Sequence, residues 1–228
     1  MDLSHSQFET IASTAVVSIT LLIAIPVAAA QQTNAGESVR SAVVTRIDTE
    51  LVIDGSLEES PWRQVPTIGD LIQREPEAGA PPTEQTEVTL LYDQDNLYIG
   101  VMAFDSEPER VLASEMSRDA RLRADDRIEI VLDTFRDQSN AFRFATNPAG
   151  ALVDGLVFAN GETNDDWDGI WIVRTMQTDE GWSAEFSIPF KTLSFPADDT
   201  VWGFNISRTI QRKLEESRWT GAQLQTDF

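Results

Sequence analysis

The residues of this 228-residue chain that could meet a ligand fall into three groups. Tryptophans 62, 167, 171, 182, 202 and 219 supply flat apolar rings on which the C–H faces of a sugar can stack. Trp182 and Trp202 stand in phase with apolar neighbours and read as core, and Trp62 reads as a plug under a turn. Trp171 and Trp219 are intermediate. Trp167 lies in the polar loop Gly161-Glu162-Thr163-Asn164-Asp165-Asp166-Trp167-Asp168-Gly169, where burial is not forced. It reads either as a stacking platform or as a loop anchor. The same loop brings Asn164, Asp165, Asp166 and Asp168 close in sequence. Calcium takes such oxygen ligands, so Asp165, Asp166 and Asp168 are candidate metal residues. Their spacing is not that of an EF-hand loop, and a solvated acidic loop is the other reading. The third group is paired carboxylates. A glycosidase needs two of them roughly 5–10 Å apart. Asp125 and Asp126 are adjacent, so at a strand end their side chains diverge. They read better as residues that order the preceding loop.

Composition removes several chemistries. The chain has no cysteine, and its one histidine is His5. Residues 1–30 read as an export signal. Ala15 to Ala30 is apolar except for Ser18 and Thr20, and it ends Ala28-Ala29-Ala30, although residues 1–14 carry no Lys or Arg. The run is short of the roughly 20 apolar residues a spanning helix needs. Removal of the signal leaves a chain without Cys or His. Zinc sites of those ligands, a Ser-His-Asp triad, a cysteine nucleophile and haem ligation by Cys or His are then excluded. The net charge of −21 argues against nucleic acid and against anionic membrane surfaces as partners. The expectation is an exported protein (periplasmic, secreted or associated with the outer membrane) that is not an integral membrane domain once the signal is gone. A flexible leader over 31–40, one domain over 41–221 and a tail over 222–228 complete the organisation.

The elements that must position these residues are short strands. Alternation of apolar and polar residues predicts strands near 41–47, 51–53, 68–73, 86–92, 97–104, 127–133, 141–147, 151–158, 170–176, 182–187 and 201–208. In one of these, Trp182, Ala184, Phe186 and Ile188 alternate with Ser183, Glu185 and Ser187, which predicts one buried face. Two hairpins stand out, one turning through Asp93-Gln94-Asp95-Asn96 and one through Pro148-Ala149-Gly150. Helix is expected only at 108–113, opened by Pro108, and at 190–193. The fold class is all-β, an antiparallel jelly-roll-like β-sandwich with little helix. On the non-core phase stand Glu129, Arg143, Glu185 and Asn205. If their strands are neighbours they form one polar patch, either a solvated face or a shallow groove for sugar hydroxyls.

Three segments carry a resemblance. They are Ile53-Asp54-Gly55-Ser56-Leu57-Glu58-Glu59-Ser60-Pro61-Trp62, Asp125-Asp126-Arg127-Ile128-Glu129-Ile130-Val131-Leu132-Asp133, and the run from Glu180 to Phe195. Together they resemble family 9 carbohydrate-binding modules and their DOMON-like relatives. Arg118-Asp119, Phe144-Ala145-Thr146-Asn147-Pro148-Ala149-Gly150 with Asp154, and Asn205-Ile206-Ser207-Arg208 look closer to a branch that precedes a large outer-membrane barrel. The resemblance implies non-catalytic carbohydrate binding in glycan degradation or uptake, beside a glycoside hydrolase or a barrel. It implies Trp167 for stacking, Arg118 and Arg143 as donors, and Asp126, Glu129, Asn147 and Asp154 as acceptors. Calcium is the one cofactor for which the sequence offers ligands. Two other functions stay open, a docking module of a barrel system without sugar binding, and a hydrolase of O-glycosyl bonds.

Overall fold

The computed structural model describes residues 40–158, 161–197 and 200–220. The expected signal, all of the leader but Arg40, and the tail lie outside these residues.

Twelve strands form two sheets among the described residues. The five-stranded sheet runs β1 (Thr45–Arg46), β3 (Thr86–Tyr92), β4 (Asn96–Phe104), β10 (Gly181–Pro189) and β9 (Ile172–Thr178). The seven-stranded sheet runs β2 (Ile72–Glu75), β12 (Glu215–Arg218), β11 (Gly203–Ile210), β5 (Arg127–Asp133), β6 (Ala141–Thr146), β7 (Val153–Val157) and β8 (Thr163–Asn164). All neighbours are antiparallel except β1 with β3. The apolar phase of each strand meets the other sheet. Val88, Ile99, Val101, Ala184 and Phe186 pack against Ile128, Ile130, Phe144 and Ile206, all of them buried. Among the described residues, no helix is long and apolar enough to cross a membrane.

Both predicted hairpins form. Asp93 Oδ1 accepts the backbone N–H groups of Asp95 and Asn96, each at 2.7 Å, and closes the β3–β4 turn. Asn147 Oδ1 accepts those of Ala149 and Ala151 between β6 and β7. The helical turns expected at 108–113 and 190–193 are the short 3-10 turns Pro108–Arg110 and Phe190–Thr192. Other expectations need correction. Residues 51–53 form no strand, β1 is shorter than expected, and β12 was not anticipated. Trp202 precedes β11 instead of lying within it, half-buried with its ring centroid 5.1 Å from that of Phe195.

The largest correction concerns β10. Its alternation predicts one buried face, but both faces are buried. The polar face is covered by the chain segment that ends in helix α1 (Ser60–Arg63). Leu51 and Trp62 pack there on Leu91 and Tyr98 as a second core, outside the five-stranded sheet. Gly100 makes room for the cover, since a Cβ on it would lie 2.8 Å from Leu57 Cδ2 and 2.9 Å from the Trp62 ring. Glu185 therefore does not join Glu129, Arg143 and Asn205, which lie on the other sheet. Its Oε2 accepts the N–H groups of Asp54 (2.8 Å) and Gly55 (2.7 Å), and its Oε1 accepts the Trp62 indole N–H (2.9 Å). Ser183 adds a hydroxyl bond to the Gly55 carbonyl at 2.6 Å. Period-two patterning cannot tell a strand face turned to water from one turned to another stretch of the same chain.

Arg208 shows the same ambiguity. It stands in phase with Phe204 and Ile206, and it is buried. Its guanidinium donates to the carbonyls of Gln85 (2.8 Å) and Phe104 (2.6 Å), tying β11 to the opposite sheet. A buried charge persists when its donors are satisfied in this way.

Burial pushes the Glu185 carboxyl up to about 7, against the hydrogen bonds of Gly55, Asp54 and Trp62 and with the added repulsion of Glu59. A folded-state pKa above the ordinary 4.5 stabilises the fold fully below that pH and loses this contribution as pH rises through about 7. Thermal melts of the wild type are expected to lose stability relative to Glu185→Gln over that interval. A difference in melting temperature that stays constant across the interval would contradict the assignment.

Candidate functional site

Among the described residues, the outward phase of β5 (Arg127, Glu129 and Val131) is half-buried, where that of β10 is buried. A groove of ≈ 390 Å³ lies on this outer face of the seven-stranded sheet. Its floor is the outward phase of β5, β6 and β7, with Glu129, Arg143 and Ala145. One wall is the loop from Asp119 to Arg123, and Asp165 stands among the lining residues beyond β7. Gly155 brings that side close, because a Cβ there would lie 3.1 Å from the Asn164 carbonyl and from Asp165 Oδ1.

The wall is held by two buried carboxylates at the head of β5. Asp125 accepts from the Ser114 N–H (2.9 Å) and hydroxyl (2.6 Å), the Glu115 N–H (2.9 Å) and the Asn147 amide (2.6 Å). Burial raises its pKa, but the bonds from Ser114, Glu115 and Asn147 outweigh burial and the net shift is down. Asp126 accepts the Gln211 N–H at 2.7 Å, while its own N–H donates to the Leu112 carbonyl. For Asp126 burial wins, and the net shift is up. The two side chains diverge, as their adjacency on a strand requires. Leu122 then packs down on Ala145, Ala151 and Val153 as a small apolar cluster.

On the floor, Arg143 Nε donates to Glu129 Oε2 at 2.8 Å and Nη1 to Asp165 Oδ1 at 3.3 Å. Burial lowers the guanidinium pKa, but Glu129 and Asp165 outweigh it, and the net shift is up. A fixed donor fork thus stands between two acceptors on an open surface, an arrangement suited to vicinal hydroxyls.

Of the other expected site residues, Asp154 lines the groove, whereas Arg118, Asp126, Asn147 and Trp167 do not. Asp126 and Asn147 are buried, and their polar atoms are engaged by the protein's own groups. Besides Asp125, the Asn147 amide donates to the Glu115 carbonyl at 2.7 Å. Asp154 is buried and accepts the Arg118 guanidinium at 2.6 Å and the Gly169 N–H. The Trp167 ring is half-buried, with centroids 5.3 Å from Phe142 and 6.0 Å from Phe144, and it does not line the groove. Asp165, Asp166 and Asp168 do not converge. Asp165 turns to Arg143, and the Asp166 N–H donates to its neighbour Asn164. Asp168 joins Asp119 and Asp154, and these three carboxylates come within 4.8 Å of one another. Arg118 already serves that cluster, at 3.6, 2.6 and 3.1 Å from Asp119, Asp154 and Asp168. The place a cation would fill is taken by a guanidinium, so the calcium ligands read from the loop are not assembled there.

Sequence reading missed Arg121, Arg123 and Arg127 in the groove. The signal was present, because residues 118–127 hold four of the chain's 17 basic residues.

Comparison with known proteins places the architecture. The family model described as carbohydrate family 9 binding domain-like matches residues 53–221. No curated protein gives a significant match. Among solved structures, a family 9 carbohydrate-binding module from Caldicellulosiruptor kristjanssonii in complex with glucose aligns with TM-score 0.54 and 19% identity, over 79% of this chain and 86% of the module. A module from that organism in complex with cellotriose aligns with TM-score 0.53 and 17% identity, over 80% and 85%. A Bacteroides uniformis protein proposed to bind carbohydrate aligns with TM-score 0.59 and 13% identity, over 77% and 87%. At these identities the likeness is one of fold.

Asp125→Ala would strand the four donors that converge on this carboxylate. We expect a loss of about 3 kcal/mol or more in denaturant unfolding, given the cost of unsatisfied buried groups. Because the Asp125 pKa is lowered, its stabilisation is present above the ordinary value of 3.8 and lost as pH falls below it. The denaturant midpoint of the variant should therefore depend less steeply on pH in that range. Wild-type stability in the variant would assign the loop's order to other contacts.

Proposed function

The chain belongs to the carbohydrate family 9 binding domain-like family, and we propose that it binds carbohydrate, without transforming it, in the groove on its seven-stranded sheet. The observation that carries this reading is the open polar floor, where Arg143 stands between Glu129 and Asp165. Sugars present alternating donors and acceptors, and a fixed guanidinium flanked by carboxylates can meet both. The sugar complexes formed by the two Caldicellulosiruptor modules support the same class of ligand. A binding role fits the carboxylates as well. Glu129 and Asp165 each face the Arg143 guanidinium as hydrogen-bond acceptors, which fixes both at the rim of the donor fork.

The apolar run at residues 15–30 supports export. A sugar-binding domain outside the cytoplasm would hold glycan for degradation or uptake, beside a glycoside hydrolase or an outer-membrane barrel.

Binding should be weak, in the millimolar to micromolar range. In an NMR titration with glucose and cellotriose, the shifts should centre on Arg143 Nε and the 119–123 backbone. Arg143→Ala should weaken binding about tenfold, the scale of one hydrogen bond to a charged group. Prolonged incubation should release no reducing sugar. Shifts confined to other surfaces, or turnover that depends on one carboxylate, would overturn the reading.

A further inference from the structure

The arginines of the groove are not all accounted for by ion pairs. Arg118 is engaged by Asp119, Asp154 and Asp168, and Arg143 by Glu129 and Asp165. Arg121 and Arg123 are exposed on the wall, and among the described residues neither meets a carboxylate or any other hydrogen-bond partner. Arg127, at the floor's edge, donates only to the Leu122 carbonyl, at 3.4 Å. Three guanidinium groups without a carboxylate thus line one groove of a chain whose net charge is −21. With 38 acidic residues available, such arginines have abundant potential partners elsewhere on the chain. The carboxylates of the lining, Asp119, Glu129, Asp154 and Asp165, are paired to Arg118 or Arg143, which leaves the charges of Arg121, Arg123 and Arg127 to face the cleft.

Among the described residues, the lining holds no aromatic ring. These residues therefore offer no stacking platform, the usual means of holding a neutral pyranose. Discrimination must come from hydrogen bonds and charge. An arginine fork presents parallel N–H groups in the plane that a carboxylate accepts, and the pairing is stronger than one with a neutral hydroxyl.

We propose that the groove is selective for an acidic glycan, one whose sugar units carry a carboxylate, with Arg121, Arg123 and Arg127 receiving the uronate groups while Arg143 and Glu129 address hydroxyls. This rests on the carbohydrate-binding reading above and specifies the class of sugar. The wall supplies the charge and the floor supplies the hydroxyl contacts. The packing of Leu122 on Ala145 and Val153 keeps the two together. Arg118 takes no direct part, because its guanidinium is committed to three carboxylates of the protein.

The test is calorimetric titration of the full chain with four probes: trigalacturonate, cellotriose, a sulfated oligosaccharide of similar length, and inorganic phosphate. Trigalacturonate should bind at least about tenfold more tightly than cellotriose, the scale of one added charge-assisted bond. The double variant Arg121→Gln/Arg123→Gln should lose that advantage while keeping its melting temperature. Arg46→Gln, an exposed charge change on β1 of the other sheet, should lose nothing. If cellotriose binds and trigalacturonate binds no better, or if the double variant keeps the preference, acidic selectivity is wrong while carbohydrate binding stands. Tighter binding of the sulfated sugar than of trigalacturonate would overturn the carboxylate assignment. Phosphate binding as tight as that of trigalacturonate would reduce the site to a simple anion patch. If no sugar binds at all, the carbohydrate reading fails together with its refinement.

Discussion

The groove depends on two carboxylates that never face it. Asp125 and Asp126 stand side by side at the head of β5, and the strand's alternation sends them opposite ways. Asp125 gathers the backbone at Ser114 and Glu115 together with the Asn147 amide. Asp126 holds the turn at Gln211. The loop that ends in the 3-10 turn Leu122–Ala124 is thereby fixed at several backbone points, which is what allows it to act as a wall. Buried donors left without these acceptors would force the loop to reorganise, and the exposed arginines on it would lose their common direction.

The two sheets have been put to different uses. The five-stranded sheet gives the outer face of β3, β4 and β10 to the protein itself, covered by the segment that carries Leu51 and Trp62. The seven-stranded sheet keeps part of its outer face open and polar. Ligand contact therefore falls to β5, β6 and β7, the part of that sheet beside the ordered wall. The fixed Arg143 fork and the unpaired wall arginines then differ in physical character. The first is preorganised by Glu129 and Asp165, so little side-chain entropy remains to be lost on binding. The second are free to adapt, and they give up that freedom when a ligand arrives.

Much of the fold was legible because alternation, Asx turns and the Pro-Ala-Gly turn are local signals. Both hairpins and most strands follow from them. What alternation does not encode is the environment of the polar phase. Glu185 and Glu129 have the same periodic signature, yet one is enclosed by backbone N–H groups and the other lies in the groove. Arg208 is a charge in an apolar phase, a pattern that does not tell solvation from burial, and here Gln85, Thr86 and Phe104 enclose it with three acceptors. The candidate site was half legible. Arg143 and Glu129 were found because they occupy strands. Arg121 and Arg123 sit in a loop, where no period tells which way a side chain points. Asp165 and Asp168 were grouped by their spacing, but two different arginines draw them apart.

The cover over the five-stranded sheet also bears on colloidal behaviour. It lies near the start of the described chain, and its hold on the sheet combines one buried carboxylate with a patch of apolar contacts. Should it peel away while the two-sheet core stays intact, Leu91 and Tyr98 would become solvent-facing on an otherwise native sheet. Such a surface sets an apolar patch at Leu91 and Tyr98 beside the polar phase of β10, and exposed apolar patches make folded molecules self-associate. Acidic charge elsewhere opposes that contact, so clumping would be favoured where carboxylates begin to lose their ionisation or salt screens them. Proteolytic trimming just past Trp62 would thus yield a sticky particle whose groove is still in place.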